Sequence, residues 1–285
     1  MLEWGSGRRA DLPWRWTREP WPVLVAETML QQTQTARVVP RYRDFLATFP
    51  TPLACAAASP AEVLRHWDGL GYNRRAVSLH RAAHIIVHHY GGHIPDDLDA
   101  LLSLPGVGPY TARAVLSLAF GQDWGVLDTN AARVLARAVA GRRLDRPEAQ
   151  RLADSMVPVR RSRDWNQAMM DLGAGVCVRR VPRCDDCPVL SQCSWAATGW
   201  QRPDPAEGTA GSSSRQARFA GSDRQGRGRL VRVLRAGPLP LARAPEASGW
   251  PEDRQRAQQV VEALIDEGLA ELVDGFLVLP TAPML

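Results

Sequence analysis

Apolar side chains recur every three or four residues through most of the first 199 positions, the spacing of helices that each bury one face. The pattern predicts helices from Pro22 to about Thr35, Val38 to Phe49, Pro60 to Trp67 and Arg74 to His89. It continues over Asp97 to Leu102, Pro109 to Phe120, Thr129 to Ala140, Pro147 to Met156 and Trp165 to about Val176. Ser59-Pro60 marks a helix start, because proline at the first helical position loses no hydrogen bond. No stretch alternates apolar and polar residues well enough to predict a strand. Residues 1–199 therefore read as an all-α domain.

The pattern fails over residues 200–217, where Pro, Gly, Ser and Ala leave few apolar anchors. This segment reads as a flexible linker. Beyond it, Leu230 to Leu234 and Asp253 to Glu267 predict helices. LAELVDGFLVLP then predicts a hairpin turning at Asp274-Gly275. Helices followed by a hairpin resemble a winged helix, so residues 218–285 are expected to form a small α+β domain.

No apolar run approaches the ~20 residues that a membrane span needs. The opening MLEWGSGRRADLPW lacks the apolar stretch of a secretory signal. The expectation is a cytoplasmic, monomeric protein with no membrane partner. A net charge of +5 favours an anionic partner. The excess sits in residues 1–199, with 24 arginines against 19 acids, while residues 200–285 hold 11 of each. All 35 basic side chains are arginine, so no side-chain amine exists to form a Schiff base with a sugar aldehyde.

Cys177, Cys184, Cys187 and Cys193 read C-x6-C-x2-C-x5-C. Thiolates this close converge on one metal centre more readily than they form unstrained disulfides. The x2 step suits zinc and iron–sulfur sites alike. The wide flanking gaps favour a [4Fe–4S] cluster over a zinc ribbon, which repeats the x2 knuckle. Cys55 stands apart and reads as a buried structural thiol. Arg179, Arg180 and Arg183 lie between the first two ligands, either as surface charge or facing phosphates.

In LLSLPGVGPYTARAV, Gly106 and Gly108 bracket Val107 between two helices. Such a turn is either an ordinary helical corner or one whose backbone amides, at the next helix N-terminus, hold a phosphate. Asp128 follows at the start of a helix, as a cap or as a carboxylate placed to stabilise positive charge. Glu27 lies on a largely apolar helix. If buried there, its ionised form is disfavoured, which suits a general acid near neutral pH.

The cysteine spacing resembles the cluster loop of DNA glycosylases related to endonuclease III. LPGVG-x-x-TA is similar to the helix-hairpin-helix of the same enzymes, and ETMLQQTQ to a segment of adenine DNA glycosylases of the MutY type. LPWR (residues 12–15), GLGY (69–72) and NQAMMDLGAGVC (166–177) agree in order, so the resemblance covers about residues 11–198. It implies a helix-hairpin-helix glycosylase domain over residues 1–199 with its iron–sulfur loop at 177–193. The implied activity is base excision repair: hydrolysis of the N-glycosidic bond of adenine mispaired with guanine or 8-oxoguanine in double-stranded DNA. The enzyme would associate with the nucleoid when bound.

Carried over, Glu27 protonates adenine at N7 and later helps activate water. Asp128 stabilises the oxocarbenium-like sugar or forms a transient adduct with it, with Tyr110 and Asn130 in support. Gln31, Gln32 and Thr33 belong to the segment that wedges into the duplex, and Tyr72 also inserts. Trp14, Arg15 and Leu30 surround the extruded base, while Gly106, Val107 and Gly108 hold the backbone. Tyr110 stands where strand-cleaving relatives carry a nucleophilic lysine, so base removal without efficient strand cleavage is expected.

Relatives of this type usually carry a strand-rich C-terminal domain that reads 8-oxoguanine through a Phe-Ser-His loop. Residues 218–285 are few for it, no histidine follows His93, and the nearest echo is Phe219-Ala220-Gly221-Ser222. The expectation is a chain without that domain. Arg215 to Arg235 holds seven arginines and one acid, Asp223, reading either as a solvated face or as extra phosphate contact. Two rival functions are a thymine or uracil mismatch glycosylase on the same scaffold, and a non-enzymatic iron–sulfur DNA-binding protein.

Overall fold

The computed structural model describes residues 1–6, 12–210 and 218–282. Helix α1 (Leu2–Ser6) precedes a short 3-10 turn (Pro13–Arg15) and α2 (Pro20–Leu30). Then follow α3 (Thr35–Thr48), α4 (Pro52–Ala57), α5 (Pro60–His66) and α6 (Arg74–Tyr90). Helices α7 (Leu98–Leu102) and α8 (Pro109–Leu118) flank the Gly106–Gly108 turn. Helix α9 (Thr129–Val134) runs on as a π-helix (Leu135–Ala140), followed by α10 (Arg146–Ser155), α11 (Ser162–Gly175) and α12 (Ser194–Ala197). The C-terminal part holds α13 (Asp223–Ala236), β1 (Leu239–Pro240), α14 (Ala244–Ser248), α15 (Arg254–Asp266), β2 (Glu271–Val273) and β3 (Phe276–Val278).

Local chemistry explains most boundaries. Ser59 and Glu62 form a capping box at α5, and Asp145 and Glu148 form another at α10. Thr51 caps α4, a helix that the apolar pattern does not reveal. One expected helix is cut short: the segment predicted to run to Thr35 ends at Leu30. The reason is tertiary. Arg75 donates from Nη1 to the carbonyls of Thr28 and Met29, both at 2.8 Å, satisfying groups that a helix end leaves open. Gln32 then turns left-handed, with φ 58°.

Contacts divide the chain into two compact units. The first comprises Met1–Val23, Asp96–Leu102 and Val107–Gln216. Its core gathers Val134, Leu135, Leu144, Met169, Leu172 and Val176 from the helices between α9 and α11. The expected linker begins inside this unit. Asp204 is buried against Arg137, Thr209 Oγ1 accepts from Leu144 N, and Ala210 N donates to Leu144 O. Residues 204–210 are thus anchored rather than flexible. Residues 211–217, including Arg215, lie outside the described residues.

The second unit comprises Leu24–Pro95, Ser103–Gly106 and Ala217–Leu285. Phe45, Phe49 and Trp67 pack edge to face in its core. Cys55 is fully buried there, and burial pushes its thiol pKa up to about 12. The C-terminal elements run helix, strand, helix, helix, strand, strand, with an antiparallel sheet in the order β1-β3-β2. This is the arrangement of a winged helix. Asp274 and Gly275 both have positive φ, as a tight two-residue hairpin requires. Helix α13 starts seven residues earlier than the sequence pattern predicts: Gly226 interrupts the apolar series because the Trp250 ring occupies the space a side chain would need. The domain packs on α5 within the same unit, with Ala61 N donating to Pro280 O.

Candidate functional site

In the first unit, Asp128 caps α9. Its Oδ1 accepts from Ala131 N at 2.6 Å and its Oδ2 from Asn130 Nδ2 at 2.8 Å. The carboxylate is thereby fixed in orientation while each oxygen keeps further acceptor capacity. Arg133 donates to Asn130 Oδ1, to Gly173 O and to Cys177 O, so α9, α11 and the cysteine loop meet at one guanidinium. At Gly173 a β-carbon would lie 2.5 Å from the Asn130 β-carbon and 2.9 Å from its backbone. Only glycine permits this approach. Asn166 accepts from Val126 N and donates to Ser117 Oγ and Trp124 O, holding the extended lead-in to Asp128.

The four cysteines line one cavity of about 400 Å3 of atom-free space, partly open to solvent, with Val134, Leu172, Trp195 and Trp200 among its other walls. None is in a disulfide. Among the described residues, no group of three or more ligands converges tightly enough for one metal ion. Burial raises the pKa of Cys177 and Cys187; Arg137 and Arg133 oppose this at Cys177, and the other thiols add to it at Cys187. Arg137 and Arg183 are the arginines lining the cavity, and Arg137 is the buried one. Arg137 is tied in place by its own bonds. It donates to Cys177 Sγ at 3.6 Å, to Val178 O and Arg179 O, and pairs with buried Asp204 at 2.5 Å. Arg179, Arg180 and Arg183 are exposed on the loop.

The remaining residues of this unit are placed unevenly. Trp14 and Arg15 are buried, and Arg15 forms a two-point pair with Asp171 on α11. Its guanidinium is therefore already engaged by protein. Tyr110 is half-buried in the first turn of α8. Val107 is buried, and Gly108 has no side chain to cap the α8 amides.

In the second unit, Glu27 is 5% exposed on α2. The helix ends into a turn that carries half-buried Leu30, Gln31 and Thr33 and exposed Gln32. Arg75 ties this turn to a second loop. Its Nη2 donates to Thr33 Oγ1, Leu70 O and Gly71 O, and its Nε donates to Tyr72 O. Thr33 Oγ1 also donates to Leu70 O. Tyr72 is 45% exposed with φ 46°, an uncommon conformation for an aromatic residue. At Gly106, φ is 79° and a β-carbon would strike Ser78 on α6, which fixes the hairpin turn against that helix.

Asn166 and Gly173, both within the NQAMMDLGAGVC segment, carry this geometry together with Arg75, Arg133 and Arg137, three arginines that no motif singles out. Arginine is common throughout the chain. Nothing local distinguishes one that reaches forty residues away.

Residues 25–158 match the model of the HhH-GPD superfamily, described as base excision DNA repair proteins. The chain is 43% identical to the adenine DNA glycosylase of Mycobacterium tuberculosis, over 98% of this chain and 92% of that relative. A thermostable thymine-DNA glycosylase structure superposes with TM-score 0.64 and 31% identity, covering 69% of this chain and 93% of that one. A trapped endonuclease III–DNA covalent intermediate gives 0.60 at 25% identity, covering 70% and 95%.

Proposed function

The chain belongs to the HhH-GPD superfamily of base excision DNA repair proteins, and from that membership we propose that it removes adenine mispaired with guanine or 8-oxoguanine from duplex DNA. The observation that carries this reading is a buried carboxylate, Glu27, one turn before the Gln31–Thr33 segment. Adenine leaves poorly unless protonated, and Glu27 is the proton donor to its N7. The base must leave the stack before either carboxylate reaches its bond. Asp128, oriented by Asn130 and the Ala131 amide, then stabilises charge on the sugar. Gln32 and Tyr72, both exposed, fill the vacated space in the duplex. With no lysine in the chain, strand cleavage through a Schiff base has no side-chain nucleophile.

The donor set around the cavity is all sulfur, fitting a [4Fe–4S] cluster held by Cys177, Cys184, Cys187 and Cys193. Bound there, the cluster ties four thiolates into one structural link. Hydrolysis of a glycosidic bond transfers no electron, so the chain's own carboxylates carry the reaction.

A second reading, thymine or uracil release, is favoured by the likeness to the thymine-DNA glycosylase. Duplexes carrying A:8-oxoguanine, A:G, T:G and U:G, treated with alkali after incubation, separate the two. Release from the adenine mispairs, abolished by Glu27→Gln with DNA binding retained, is the expected result. Cleavage confined to T:G or U:G overturns the adenine reading.

A further inference from the structure

The loop that presents Tyr72 is held from two sides, and the two holders come from distant parts of the sequence. Arg75 grips its inner carbonyls, as described above. Arg235, near the end of α13 in the winged-helix-like domain, grips its flanks. Its Nε donates to Leu64 O at 2.9 Å, its Nη1 to Asp68 Oδ1 at 2.6 Å and its Nη2 to Asn73 Oδ1 at 3.0 Å. All three nitrogens of the guanidinium are used, and its side chain is only 12% exposed. Asn73 occupies the N-cap position of α6, where asparagine ordinarily bonds to its own helix. Here it makes no capping bond and accepts from Arg235 instead. Glu267 adds a second tie, pairing with Arg227 in its own domain and approaching Arg74 at 3.7 Å, just past the loop.

We propose that the winged-helix-like domain sets the position of Tyr72, with Arg235 as the positioning residue that holds Asp68 and Asn73. The loop turns left-handed at Gly69 and Gly71, which glycine allows, and again at Tyr72, where a non-glycine backbone of this kind persists only if its surroundings over-determine it. An aromatic that enters a base stack acts best when its loop is already ordered, because the ordering cost is then not taken from binding. This proposal rests on the reading of Tyr72 as a group that enters the duplex.

Three readouts test it on the full-length protein. The first is hydrogen–deuterium exchange of residues 69–73, which Arg235→Ala should accelerate. The second is fluorescence of 2-aminopurine placed opposite guanine, which reports base extrusion. The third is single-turnover adenine release from A:G duplexes. Arg235→Ala should lower extrusion and release about tenfold, the scale of one lost charge-assisted hydrogen bond. Affinity for matched duplex should stay unchanged. Arg235→Lys should recover part of the rate, since an ammonium still pairs with Asp68. Tyr72→Ala combined with Arg235→Ala should cost no more than Tyr72→Ala alone. Should Arg235→Ala melt far below the wild type, Asp68→Ala removes the same ion pair from its exposed side and should shift all three readouts the same way. Unchanged exchange at 69–73, or losses from Arg235→Ala and Tyr72→Ala that multiply, overturns the proposal. Wild-type protein that releases no adenine overturns the functional reading instead, and the exchange data then judge the brace alone.

Discussion

Arg75, Arg133, Arg137 and Arg235 each direct a buried or half-buried guanidinium at carbonyls and carboxylates of the protein itself. A planar cation with five donors and a charge that persists on burial suits such junctions better than an ammonium would. Basic residues read as candidate DNA contacts are therefore partly structural: Arg227, Arg229 and Arg235 all bond within the protein. Histidines carry a different consequence. On α6, His80 and His84 meet edge to face with ring centroids 4.7 Å apart, and His84 stacks on His88 one turn further on at 6.1 Å. Burial lowers the pKa of His80 and His84; Arg81 and His84 add to this at His80, His88 adds to it at His84, and the Ala58 carbonyl opposes it at His80. The unfolded chain then takes up protons first as pH falls below about 6.5, so stability is intact above that value and lost beneath it. Melting temperatures should fall from about pH 6.5 downward, and His84→Leu should flatten that slope. A slope identical in the variant refutes the assignment to this stripe.

Among elements, the decisive juxtaposition is α11 against α9. Gly173 lets α11 approach until Arg133 bonds both Gly173 O and Asn130, and Asn130 in turn orients Asp128. Gly173→Ala should destabilise the protein by about 1–3 kcal/mol through overpacking. It should also cut single-turnover base release at least tenfold while DNA binding persists. Gly175→Ala, with nothing within 4 Å of its added carbon, is the matched control and should behave as wild type. Equal activity of the two variants would count against the role given to this contact. Most helices were legible from periodicity and caps, because both signals are local. The end of α2 was not, since a cap supplied by Arg75 from α6 leaves no mark in the adjacent sequence. Strand β1, two residues long, is too short to show an alternation.

At the scale of the molecule, Glu27 belongs to one compact unit and Asp128 to the other, and the C-terminal domain groups with the unit that carries Glu27. The match to the mycobacterial relative runs over 98% of the chain, and so includes that domain. The cysteine loop lies within the first unit. Protein purified without oxygen should contain about four iron and four sulfide per chain. Cys184→Ser should lower that content and weaken DNA affinity, as the exposed arginines beside it lose their frame. One zinc per chain in place of iron would reject the cluster. By itself the sequence determined the chemistry available: the thiol spacing, the two carboxylates, the Gln-Gln-Thr segment and the absence of lysine, all of which are properties of residue type and order. Tertiary structure alone decided which guanidinium meets which acceptor. Arg235 and its partners stand 162 to 171 residues apart, and closing such separations depends on how whole helices pack, which no local pattern encodes.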